Sequence, residues 1–147
     1  MNDRTAISGP QAAPASKGIF TLLHAAHALE EKLESTLAGV GLSSPKFSVL
    51  SELVSAGEAL SLSELASRLS CVRSNMTQLV DRLEADGLVR RVSCPTDRRS
   101  VKAEITSLGR ERQVAGAEVM DALHSQFSSR VAQDDLGAVA RMLSALE

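Results

Sequence analysis

The sequence contains no tryptophan and no tyrosine, and three phenylalanines make up its 2% of aromatic residues. A core without large rings must be filled by Leu, Val and Ala, which favours helices packed on helices. The same scarcity argues against binding single-stranded nucleic acid, whose bases stack on aromatic side chains. With two cysteines, Cys71 and Cys94, there is no disulfide framework. No run of 18 apolar residues occurs, which excludes a membrane-spanning helix, and residues 1–16 lack a signal-peptide pattern. A cytoplasmic location is the expectation. There is no Gly-rich phosphate loop and no Ser, His and acid set at a recognisable spacing, so no catalytic residue, no cofactor and no enzyme is expected. His24 and His27 lie three apart on one side of a predicted helix and His124 lies in another. They read as core or surface residues, and no metal site is assigned.

What is present is enough for one domain. The chain has 147 residues, of which 44% are apolar. Its net charge of −2 argues against nucleic acid when taken whole, but the charge is unevenly spread. Residues 68–102 carry eight basic residues (Arg68, Arg73, Arg82, Arg90, Arg91, Arg98, Arg99, Lys102) against four acidic ones, a segment of +4 in a remainder of −6. A basic module in an acidic body can bind phosphate locally.

Periodicity and punctuation divide the chain. Residues 1–16, rich in Ala, Pro, Ser and Gly, read as a flexible tail. Leu22, Ala26, Leu29, Leu33 and Leu37 form one apolar stripe on a helix over 17–38, ended by Gly39 and Gly41. Ser44-Pro45 opens a second helix with Phe47, Leu50, Leu53 and Val54 inward, and Gly57 stops it. Residues 59–61 suit a short strand. Ser61 and Glu64 form a capping box for a third helix, whose inner face is Leu62, Leu65, Ala66 and Leu69. After a break at Ser70-Cys71, a fourth helix over 72–86 turns Val72, Met76, Leu79, Val80 and Leu83 inward and ends at Gly87. Residues 88–93 and 100–106 read as the strands of a hairpin with a polar tip. Thr106 caps a fifth helix reaching 129, with Val119, Met120, Leu123 and Phe127 inward. A sixth, over 134–146, presents Leu136, Val139, Ala140 and Leu143.

Two short helices, a tight turn and a hairpin between long flanking helices make a helix-turn-helix whose second helix can enter the major groove. The polar side of that helix carries Arg73, Ser74, Asn75, Thr77, Gln78 and Arg82. Arg pairs with guanine, Asn and Gln pair with adenine, and hydroxyls suit phosphate. Asp97, Arg98 and Arg99 occupy the hairpin tip, where an Arg can enter the minor groove and Asp97 can fix its direction. A solvated helix face and a soluble turn are the plain alternatives to these two readings. A winged helix that meets another protein is the rival at the level of function. The Arg-rich tip and the Arg, Asn and Gln of the helix favour DNA.

Together, residues 65–109 closely resemble the MarR family of regulators. The residues that carry the resemblance are the run from Leu65-Ala66 to Leu69, the run from Arg73 to Arg91, Asp97-Arg98-Arg99-Ser100, and Ile105-Thr106-Ser107-Leu108-Gly109. The resemblance implies a mainly α fold with a small β-hairpin wing: a winged helix-turn-helix with flanking dimerisation helices. Residues 17–147 would then form a single domain. Residues 17–44 and 110–147 would serve dimerisation, and 45–109 would form the DNA-binding lobe. It further implies a homodimer on a palindromic double-stranded operator, contacts at Arg73, Ser74, Asn75, Thr77 and Gln78, Arg99 in the minor groove, and release by a small-molecule effector. The sequence departs from the family where Val72 stands, since relatives usually place a small polar cap there, and Val is a poor N-cap. Ser70 is the alternative cap, which would put Cys71 in the first turn. A thiol near a helix N-terminus favours its thiolate, so oxidation of Cys71, or of Cys94 beside the wing, is a second release route to set beside a ligand. The plain reading of Cys71 is a small buried apolar residue.

Overall fold

The computed structural model describes residues 15–93 and 101–144. Among the described residues six helices and three strands follow one another: α1 (Ala15–Ala38), α2 (Ser44–Ala56), β1 (Leu60–Ser61), α3 (Leu62–Arg68), α4 (Arg73–Ala85), β2 (Val89–Ser93), β3 (Val101–Ile105), α5 (Ser107–Ser128) and α6 (Gln133–Ser144). The chain divides into two units, Met1–Lys32 and Leu33–Glu147, with the division inside α1. Among the described residues, no helix is long and apolar enough to cross a membrane.

The helix starts show why the elements form where they do. Ser43, one residue before the predicted Ser44, caps α2 by accepting from the Lys46 amide, with Pro45 in the first turn. At α3 the capping box is complete. Glu64 N donates to Ser61 Oγ at 3.2 Å, and Ser61 N donates to Glu64 Oε2 at 2.8 Å. Two hydrogen bonds to Ser61 hold the Glu64 carboxyl below its usual pKa. Thr106 caps α5 by accepting from Gly109 N at 3.0 Å, while its hydroxyl faces the Gly87 carbonyl at 2.7 Å. That one hydroxyl ties the start of α5 to the turn that ends α4.

Antiparallel pairing gives a three-stranded sheet in the order β1-β3-β2. Leu60 faces Ala103, and the hairpin runs from Val89 opposite Ile105 to Ser93 opposite Val101. The core lies where α2, α3 and α4 meet this sheet. Leu50, Leu65, Met76, Val80, Leu83 and Ala103 have no exposed surface, and burying a side chain of the larger kinds contributes about 1.5–3 kcal/mol. Helix α5 closes over the core through two glycines. A Cβ on Gly109 would lie 2.0 Å from the Leu88 carbonyl oxygen, and one on Gly116 would lie 2.6 Å from the Phe47 ring.

The flanking helices differ from expectation in cover. Of the α1 stripe, Leu37 is buried, Leu22 and Leu33 are half-buried, and Ala26 and Leu29 are exposed. In α5, Val119 and Met120 pack on the core, whereas Phe127 is exposed. The apolar face of α6 also stays open, with Leu136, Val139 and Leu143 all exposed. Periodicity finds such a face correctly, but it does not say what covers it.

Candidate nucleic-acid interface

The turn between α3 and α4 is tight for a definable reason. Cys71 N donates to Ala66 O at 2.8 Å and Ser70 N to Ser67 O at 3.3 Å, with Ser70 at φ 49°. This is a Schellman closure with serine in the left-handed position that glycine usually fills. Gly87 takes the corresponding place after α4, at φ 73°. Ser70 thus closes α3 and is not available to cap α4. The alternative cap is corrected: Val72 is the N-cap residue and makes no side-chain cap hydrogen bond. Cys71 therefore precedes the cap instead of lying in the first turn. It is half-buried, with its Sγ 3.5 Å from the Val72 carbonyl. Val72 is corrected too. It is 65% exposed, not part of the apolar face, because its extended dihedrals turn it away from the helix packing.

From Arg73 onward α4 behaves as its pattern predicts. At about 100° per residue, Met76, Leu79, Val80 and Leu83 fall in one arc, and they are buried or half-buried against the core. The remaining arc carries Arg73, Ser74, Asn75, Thr77, Gln78 and Arg82, and all six are exposed. Thr77 Oγ1 donates to the Arg73 carbonyl at 3.1 Å, so its hydroxyl hydrogen is used within the helix. Among the described residues, no ion pair engages Arg73 or Arg82. Asp97, Arg98, Arg99 and Cys94 lie outside the described residues.

Not all of the basic segment is free. Arg68 pairs with Glu52 at 3.5 Å, and Arg90 pairs across the hairpin with Glu104. Arg91 reaches back from β2 to α4, where its guanidinium meets Asp81 at 2.5 Å and Glu84 at 2.6 Å. The other Glu84 oxygen accepts from the Arg91 amide at 3.0 Å. The hydrogen bond to Asp81, opposed by burial and supported by Glu84, holds the Arg91 guanidinium above its usual pKa. Sequence reasoning counted Arg91 as one positive charge and missed these partners. The only sequence signal was a pair of carboxylates three apart on α4, followed by a strand after a short turn.

Two other features bear on ligands. No group of three or more His, Cys, Asp or Glu among the described residues could hold a metal ion. An open cleft of about 320 Å³ lies among Gly41, Lys46, Asp86, Leu88, Leu108 and Arg112. In it Lys46 pairs with Asp86 at 2.5 Å, and Arg112 donates to the Val40 carbonyl at 2.9 Å.

Known proteins share this arrangement. Residues 42–101 match the model of the MarR family. The HTH-type transcriptional repressor YetL of Bacillus subtilis is 38% identical over 81 residues, covering 54% of this chain and 48% of that protein. The chain spans about half the length of such curated relatives. Solved structures extend the likeness to nearly the whole chain. The transcriptional regulator BldR from Sulfolobus solfataricus is 31% identical with a TM-score of 0.68, covering 88% of this chain and 94% of that one. AbsC, a MarR family transcriptional regulator from Streptomyces coelicolor, is 26% identical with a TM-score of 0.77, covering 94% and 95%. The mostly helical fold with its small three-stranded sheet agrees with these likenesses, and the chain belongs to the MarR family.

Proposed function

We propose that the protein is a homodimeric regulator of transcription that binds double-stranded DNA at a palindromic operator and acts as a repressor. The observation that carries this reading is the exposed arc of α4. Among the described residues Arg73 and Arg82 have no ion-pair partner, and they stand beside Ser74, Asn75, Thr77 and Gln78 on the second helix of a helix-turn-helix whose other face is buried. Arg73, Asn75 and Gln78 would read base edges, and phosphate contacts would supply most of the affinity and make it salt-dependent. The wing residues Asp97, Arg98 and Arg99 would add a minor-groove contact.

Dimerisation is supported by apolar side chains that the single chain leaves uncovered. In α1, Ile19 and Phe20 are each 64% exposed, and in α6 Leu143 is 55% exposed. Residues 17–44 and 110–147 would supply the dimer interface, and 45–109 the DNA-binding lobe. Repression needs no part beyond a dimer lying on a promoter. Release would be a population shift, in which an effector that prefers a dimer with the wrong spacing of its two α4 helices lowers DNA affinity by linkage. A small ligand is the first effector proposed, and the cleft around Lys46 and Arg112 has the volume of a small-molecule site. Oxidation of Cys71 or Cys94 is the second.

Fluorescence anisotropy with duplex DNA selected by the protein from a random library, at two salt concentrations, tests the reading. Tight, salt-sensitive binding that weakens in Arg99→Ala is expected, with a dimer in sedimentation. Weak binding that does not discriminate among sequences, together with a captured protein partner, would instead favour a winged helix that meets protein. Peroxide release that persists after both cysteines are changed to Ser would remove the redox route.

A further inference from the structure

The arc of α4 assigned to DNA also contains two carboxylates. At about 100° per residue, Asp81 and Glu84 fall within the arc that holds Arg73, Thr77 and Ser74, on the flank that meets Arg91 of β2. Counting α4 alone, two arginines face two carboxylates, and the arc is neutral. A neutral helix face has no net electrostatic attraction for a polyanion, because carboxylates on the face repel the phosphates that its arginines attract. Arg91, entering from β2, changes that balance. It meets both carboxylates at once, at 2.5 and 2.6 Å, and its own amide takes the remaining Glu84 oxygen. Its side chain is 29% exposed, so it is turned toward α4 more than toward solvent.

We propose that Arg91 is a charge-masking residue of the DNA-binding surface. It does not touch DNA, and it offsets one of the two negative charges of Asp81 and Glu84, so that with Arg73 and Arg82 the recognition face carries a net charge of +1. The proposal rests on the DNA-binding reading above and adds a role for a residue outside the groove-facing set. Strand β2 acquires an electrostatic task as well as a structural one, and the two carboxylates fix how that strand is held against α4.

The masking makes a signed prediction. Asp81→Asn/Glu84→Gln, with Arg91 kept, should bind more tightly than the native protein, by roughly tenfold at ~0.1 M salt. Arg91→Met should bind more weakly by a similar factor, and the loss should shrink toward ~1 M salt, where charges about 3 Å apart are already screened. The triple variant, with all three changes, should bind at least as tightly as the native protein, although it lacks the same ion pairs as Arg91→Met. A merely structural role for Arg91 would not produce that recovery.

The probe is a duplex selected by the native protein from a randomised library, read by anisotropy, with melting temperatures recorded for each variant. A triple variant as weak as Arg91→Met overturns the proposal, as does an Asp81→Asn/Glu84→Gln variant that binds less tightly than native. The double variant keeps the proposal testable if Arg91→Met does not fold. A native protein that selects no sequence and binds no duplex in a salt-dependent way overturns the DNA reading itself, an outcome distinct from a native protein that binds while the variants rank otherwise.

Discussion

The thirteen residues of α4 present two faces in opposite surroundings. On one side Met76, Val80 and Leu83 have no exposed surface and join α4 to α2, α3 and the sheet. On the other, Arg73, Ser74, Asn75, Gln78 and Arg82 are exposed and make no ion pair with the described residues. If the exposed arc reads DNA as proposed, stability and recognition lie on separate arcs, and a substitution should move one quantity and leave the other. The strongest test of that separation is Met76→Ala. Removing a fully buried Met should cost about 2–5 kcal/mol of folding free energy, read as a lower urea midpoint. Affinity for DNA, measured per folded molecule, should stay native. A variant with native stability would show that Met76 is not part of the core, and weaker binding by fully folded protein would show that the two arcs are coupled.

The opposite face gives the mirror experiment. Arg73→Ala removes an exposed side chain with no ion pair among the described residues, so stability read from the urea midpoint should not move beyond about 0.5 kcal/mol. Binding to the selected duplex should weaken by about 1–3 kcal/mol if the guanidinium pairs with a base, with most of the loss confined to one base position. A uniform loss over all sequences, with a smaller salt slope, would assign Arg73 to phosphate instead.

How much of this was legible in the sequence depends on whether a signal was local. The capping box at Ser61 and Glu64, the cap at Thr106 and the stop at Gly87 were read correctly, because each involves side chains within a few residues of the backbone groups they serve. The buried and exposed arcs of α4 followed from helical spacing. Val72 was misplaced by the same spacing, since the rule assumes helical dihedrals and the N-cap residue has extended ones. Ser70 was offered as a cap by residue type, while its left-handed φ commits it to closing α3. The partners of Arg91 were out of reach, because no local rule brings β2 back against α4. The cover of the α6 leucines was equally hidden, since a period of 3.6 marks an apolar face but not its neighbour.

The start of α4 offers the smallest expected effect and sharpens the comparison from a third direction. Helices α2, α3 and α5 each begin on a hydroxyl that accepts a backbone N–H, whereas α4 begins on Val72 with no such bond. Val72→Ser supplies the missing acceptor and removes a 65% exposed apolar side chain. It should therefore stabilise the protein by about 0.5–1 kcal/mol, seen as a higher urea midpoint. The gain should also differ in kind from the contribution of the α3 cap. There the Glu64 carboxyl is held below its usual value of 4.5 by its bonds to Ser61. Its contribution is therefore fully present above that value and is lost as pH falls through the lower folded-state value. A serine at position 72 has no carboxylate partner three residues on, where Asn75 stands, so its gain should be the same at pH 7 and pH 4. A gain that vanished in acid would mean that the new hydroxyl had found a carboxylate. No gain at all would mean that water already satisfies the open amides of α4, and that the valine costs the fold nothing.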